Sequence, residues 1–266
     1  MKSRSSSKAW ALVEVGLVFL FLKGVAKAYF ASPLAAGEFE RLHWPYSIQI
    51  LQLGVALGMI GFLGRSWREY GLIPNWRQDL RAGGGLALLF IAVPMAAMMV
   101  LGGLAPEGAG PRQIVSTVIF QFFLSGLGEE VVYRGYIQSR LNRAFGRPLE
   151  VGGIRLGTGL FITAFLFGFS HSLSGFNPFV SSFRIDLFYG LVTGIWGLLY
   201  GLLREKTGSV FGAGILHGHE AVIENFVVTV PGQVAYGACL LISFAGLLSA
   251  PALRRGLGAG AESATA

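Results

Sequence analysis

The stretch IVSTVIFQFFLSGLGEEVVYRG, residues 114–135, decides how this chain is read. Its first fourteen residues carry no charge, and two carboxylates and a guanidinium then follow within six positions. Charge is expensive beside so long an apolar run if that run crosses a bilayer. Whether it does is settled by the rest of the chain. Of 266 residues, 53% are hydrophobic and only 13% charged, and the mean hydropathy is +0.60. Soluble domains carry charge on roughly a quarter of their residues. Several apolar runs approach the ~20 residues a helix needs to cross a membrane. The expectation is a single all-α domain, a polytopic membrane helical bundle of about eight transmembrane helices enclosing a polar intramembrane site.

The eight expected spans are residues 10–30, 46–64, 84–104, 113–133, 156–173, 185–203, 208–228 and 233–250. Residues 1–9 form an expected cytoplasmic tail, 10–250 the membrane domain, and 251–266 a small, polar, disordered tail. Ala26 and Ala28 after a basic start resemble a signal peptide, but Glu14 interrupts its apolar stretch. Lys23 and Lys27 fit a retained helix whose lysines reach the interface. With the amino terminus inside, fifteen Lys and Arg fall on cytoplasmic segments, and only Arg41, Arg112 and Arg184 fall opposite. Both ends are then cytoplasmic. The formal charge of +7 reads as cytoplasmic loops facing anionic membrane lipid rather than nucleic acid, since no basic residues interleave with aromatics. A single cysteine, Cys239, excludes a disulfide framework or thiolate metal site. Glycines at spacings of three and four, such as Gly190, Gly194, Gly197 and Gly201, read as helix-packing faces.

The polar residues left inside the spans are the functional candidates. They are Glu129, Glu130 and Arg134, then His171, then His217, His219, Glu220, Glu224 and Asn225. Glu130 and Arg134 are four apart and share a helical face, so they can pair. Glu129 lies about 100° away and is left free to titrate. A glutamate and two histidines from three helices can activate water for attack on a carbonyl, directly or through a zinc ion. The same acids could instead stitch helices together, and His171 at a helix end could be structural.

These residues resemble the motifs of the CPBP family of intramembrane proteases, also called the Abi or type II CAAX prenyl endopeptidase family. Its EExxxR motif is matched by Glu129-Glu130-Val131-Val132-Tyr133-Arg134, and its FxxxH motif by Phe167 through His171. A third motif, HxxxN, begins at His217 after Gly208-Ser209, and the likeness covers about residues 112–226. The resemblance implies a membrane-embedded glutamic endopeptidase acting on a membrane-protein or lipidated-peptide substrate. Glu129 would be the general base, His171 would orient or polarise water, and His217 would donate to the oxyanion. Glu130 and Arg134 would hold the helices or the substrate backbone. No cofactor is expected, with zinc as the alternative, and the short compact chain suggests a bacterial cytoplasmic membrane.

One position departs from the pattern. The family asparagine is Ala221 here, which offers no side-chain donor. On a helix Glu220 lies about 60° and Asn225 about 80° from the His217 direction, while His219 points almost opposite. Asn225 is therefore a candidate substitute donor, and Glu220 or Glu224 a candidate partner of the His217 ring. The departure leaves open a non-catalytic scaffold of the same fold. A proton-coupled transporter ranks last, for want of inverted repeats. Depth poses a second problem, because straight helices put His171 near the outer end of its span and Glu129 near the inner end of another.

Overall fold

The computed structural model describes residues 4–101, 110–225 and 230–249. Among these residues the chain forms α1 (Arg4–Phe30), α2 (Pro33–Leu42), α3 (Tyr46–Phe62), α4 (residues 76–101) and α5 (Pro111–Phe145). It continues with α6 (Thr158–Ser172), α7 (Leu187–Thr207), α8 (Phe211–Glu224) and α9 (Val230–Ser249). Two antiparallel hairpins join α5 to α6 and α6 to α7. They pair β1 (Leu149–Val151) with β2 (Ile154–Leu156), and β3 (Phe176–Asn177) with β4 (Ser182–Phe183).

The architecture is the expected all-α membrane bundle, and the chain is an integral membrane protein. Large apolar side chains such as Phe165, Leu187, Phe188, Leu191 and Leu241 point outward, while Glu130 and Arg134 are fully buried. That arrangement suits a lipid solvent, in which charge belongs in the protein interior.

Among the described residues each of the eight apolar segments contributes a helix, but the count of eight spans is not reproduced. Among the described residues four helices are long and apolar enough to cross a membrane: Lys8–Phe30, Trp76–Ala97, Pro111–Phe145 and Leu187–Thr207. A fifth arises only if α2 and α3 form one span, and they meet at 108°. The helices α6 and α8 have 15 and 14 residues, about 22 Å of helix against a hydrocarbon core of about 30 Å. Hydropathy detects apolar runs; it does not measure how far each helix extends. Residues 4–9, expected as a tail, already belong to α1, whereas 251–266 lie outside the described residues.

The tally of loop charges changes meaning as well. Arg204 and Lys206, assigned to a cytoplasmic loop, are buried in the last turn of α7. Arg204 donates to the Glu69 carbonyl at 3.0 Å, and Lys206 to the Leu247 carbonyl at 2.6 Å. Between them Glu205 accepts from Gln138 at 2.9 Å and from Arg147 at 2.8 Å. Glu14, buried in α1, pairs with Arg65 and Arg140, tying α1 to α5. A sequence tally counts position and is blind to such pairing.

Helix ends are set locally. Asp186 precedes α7 and accepts from the Tyr189 N–H at 2.8 Å, a side-chain cap of the first turn. Gly208 ends it at φ 74°, with its N–H donating to the Arg204 carbonyl. Buried Asp79, from α4, accepts from the Gly212 N–H at 3.1 Å and so places a carboxylate at the amino end of α8.

Glycine brings the site helices together along the face from Gly190 to Gly201, as its spacing suggested, whereas Gly54, Gly58 and Gly61, at the same kind of spacing in α3, face no neighbouring helix within 4 Å among the described residues. A Cβ at Gly168 of α6 would lie 2.4 Å from the Gly190 carbonyl oxygen of α7. One at Gly126 of α5 would lie 2.4 Å from the Gly218 Cα of α8. Such close backbone approach is how helices associate where lipid removes the hydrophobic drive. Gly168→Val is expected to separate α6 from α7 and destabilise the fold by at least about 1–3 kcal/mol. Thermal unfolding of the detergent-solubilised protein measures this; an unchanged midpoint contradicts the packing assignment.

Candidate active site

The helix carrying the two acids does not end where the sequence suggested. α5 runs for 35 residues and continues past Arg134 to Phe145. The span expected over 113–133 closes too early, because the Arg134 charge is matched within the same helix and does not end it. Two stretches of α5 are wound as π-helix, Phe120–Gly128 and Val131–Gln138, and Glu129-Glu130 lies between them. π-winding inside a helix frequently accompanies functional sites. The extension also moves Glu129 to the middle of its helix and removes the conflict of depth with His171.

Glu130 is a junction. Its Oε2 lies 3.2 Å from Arg134 Nε, the pairing expected from their spacing. Its Oε1 lies 3.1 Å from His217 Nδ1. A carboxylate accepts, so His217 donates from Nδ1 and turns Nε2 away from Glu130. The ring partner of His217 is therefore Glu130, not Glu220 or Glu224. Arg134 also donates to the Gly197 carbonyl at 3.1 Å, and its guanidinium lies 4.7 Å from the Phe167 ring centroid. A Cβ at Gly197 would stand 3.4 Å from that guanidinium, so glycine here leaves it room. The His217 ring is stacked on Tyr200 at 4.6 Å and meets the edge of Phe167 at 5.8 Å.

Glu129 is held differently. It is half-buried, and its Oε1 accepts from Gln49 Nε2 of α3 at 3.2 Å. It lies within electrostatic reach of Lys23, His171 and His217. His171 sits in the last turn of α6 with Nδ1 2.8 Å from the Phe167 carbonyl. A carbonyl only accepts, so Nδ1 carries the hydrogen and a neutral ring keeps its lone pair on Nε2. Phe167 touches both histidines, 4.4 Å from His171 and 5.8 Å from His217. Glu129, His171 and His217 thus come to one place from α5, α6 and α8.

Three other candidates lie off this centre. Asn225 is exposed just past α8 and donates to the Ala221 carbonyl at 2.7 Å. Glu220 borders the site through Tyr200, whose hydroxyl donates to it at 3.4 Å. His219 lies against Phe122 on the opposite side of α8, as its angle required. Among the described residues no three His, Cys, Asp or Glu side chains come close enough to share a metal ion.

Lys23, Gln49, Tyr133 and Tyr200 were missed as neighbours of the site. Gln49 and Gln52 are polar and three apart in an apolar span, a signal open to reading. Lys23 and Lys27 were read as reaching the interface; instead they turn inward toward α5 and α6. Tyr200 carried no signal before the helices were assembled.

Residues 111–223 match the family described as type II CAAX prenyl endopeptidase Rce1-like. Over these residues the chain is similar to the CPBP, or Abi, family. The family is one of CAAX-type intramembrane endopeptidases. No curated protein and no solved structure matches the chain. The matched region spans α5 through nearly all of α8, so it contains both acids and both histidines of the site. Lys23 and Gln49 lie before it.

Proposed function

We propose that the protein is an intramembrane endopeptidase that hydrolyses a peptide bond of a membrane-embedded or lipid-modified substrate by a glutamate-activated water. The observation that carries this reading is the meeting of Glu129, His171 and His217 beside a second acid already neutralised by Arg134 and His217. Among the described residues Glu130 has two partners, whereas Glu129 has one neutral donor in direct contact and is accessible enough to meet water. Glu129 takes a proton from water as its oxygen bonds to the carbonyl carbon. The carbonyl oxygen becomes an oxyanion, and His217 Nε2, when protonated, is its donor. His171 Nε2 accepts from the water and orients it. The carbon–nitrogen bond then breaks, and the departing amine receives the proton from Glu129. One peptide bond and one water give one acid and one amine.

Ala221 favours a second reading, a non-catalytic scaffold or immunity-type protein, because neither it nor the engaged Asn225 amide supplies a second oxyanion donor. The location proposed with the first reading is a bacterial cytoplasmic membrane with both ends inside. The discriminating experiment reconstitutes the purified protein in liposomes with a prenylated peptide, strips metal with a chelator, and follows cleavage. Activity within about twofold of the untreated sample is expected. Loss on stripping with recovery on zinc addition contradicts the glutamate mechanism, and no cleavage by either sample supports the scaffold.

A further inference from the structure

Two ammonium groups on α1 face the site without a counter-ion in contact. Lys23 and Lys27 stand four residues apart on one helical face, where like charges repel. Among the described residues no carboxylate oxygen lies within 4.0 Å of either nitrogen. Lys27 Nζ donates to the Leu173 carbonyl at 2.6 Å and the Ser174 carbonyl at 3.3 Å, just beyond His171. Lys23 Nζ lies 5.8 Å from the Phe19 ring centroid and 5.7 Å from that of Tyr133. Tyr133 in turn donates to Ser170 Oγ at 3.0 Å, next to His171. Lys23 interacts electrostatically with Glu129 and His171, yet touches neither as an ion pair.

A cation walled by two aromatic rings and left without a contact anion is prepared for one that arrives. Its strength toward that anion is raised by the dry surroundings. The anion best placed by the reaction is the free carboxylate of a substrate chain cut near its end. If three residues follow the scissile bond, that carboxylate lies at most about 10 Å from it, which keeps it in the neighbourhood of Glu129 and Lys23.

We propose that Lys23, supported by Lys27, receives the C-terminal carboxylate of the substrate on the leaving-group side of the scissile bond. The inference rests on the proposed hydrolase reading. It makes α1, which precedes the family region, part of the specificity of the site.

Binding to the Glu129→Gln protein in phosphatidylcholine vesicles tests this without requiring turnover. The probe is a prenylated Cys-Val-Leu-Ser peptide, offered as the free acid and as the carboxamide. With Lys23 in place the acid is expected to bind about tenfold tighter than the amide. Lys23→Gln should bring the ratio to about one, and Lys23→Arg should retain it. Equal loss for acid and amide in Lys23→Gln overturns the proposal, because a structural role or service to Glu129 alone predicts that result. Lys23→Met is read the same way should the glutamine variant not fold, and equal binding of both peptides to the lysine protein overturns the proposal unaided. A lipid phosphate shares the chemistry of a carboxylate. If Lys23→Gln instead lowers retention of added phosphatidylglycerol while acid and amide bind alike, the anion is lipid and the proposal fails. Cleavage of acid and amide at equal rates by the parent leaves the hydrolase reading standing and removes only this one.

Discussion

Glu129→Gln is expected to lower the cleavage rate by about 10³-fold, within the range a positioned general base contributes. Glutamine keeps the shape of the side chain and can still accept from Gln49, so the contact between α3 and α5 survives. What is lost is the ability to take a proton from water. The melting behaviour should stay within about 0.5 kcal/mol of the parent, as for a substitution that breaks no packing. His171→Ala should also impair the rate, through the lone pair on Nε2 and not through the fold, since its Nδ1 bond stays within its own helix. Rates are read in single turnover, so that product release does not mask the chemical step. A Glu129→Gln protein that cleaves at the parental rate removes the assigned mechanism.

Arg134→Met should act on the fold more than on any single step. Glu130 and Arg134 are both fully buried, and removing the guanidinium leaves a carboxylate facing His217 alone. Breaking one partner of a buried pair typically costs about 3–5 kcal/mol. The guanidinium also donates to Gly197 and lies on the Phe167 ring, so contacts between α5 and both α6 and α7 weaken together. Adding Glu130→Gln to Arg134→Met removes the orphaned charge. The double variant should therefore be less destabilised than the sum of the singles, by about 0.5–3 kcal/mol. Unfolding of the four proteins in one detergent measures the coupling. Strict additivity would mean that the two residues do not depend on one another.

How much of this was legible depended on how local each feature is. Glu130 and Arg134 are one helical turn apart, so their pairing could be read from spacing alone. The same holds for the glycine face of α7 and for the outward turn of His219. Contacts between distant segments were not legible. Glu130 and His217 are 87 residues apart, and nothing in HGHEA indicates which acid the ring will meet. Two boundary errors share a physical cause, the use of charge to mark where a helix leaves the membrane. The fourth span was closed at residue 133 although its arginine has a partner one turn back, and Arg204 and Lys206 were taken as loop charges. Paired or hydrogen-bonded charge behaves otherwise and can continue a helix or lie within a bundle. Lys23 was misplaced for the opposite reason. A lysine near a helix end usually reaches outward, but here α1 packs beside α5 and turns it toward Tyr133 and Glu129.

The most direct test of the central claim is mass spectrometry of a prenylated peptide after incubation with metal-stripped protein in liposomes. The parent and Glu129→Gln proteins are run side by side. The account predicts two fragments from the parent whose masses sum to the substrate plus one water, and intact peptide from Glu129→Gln. Intact peptide from the parent, or the same fragments from both proteins, contradicts it.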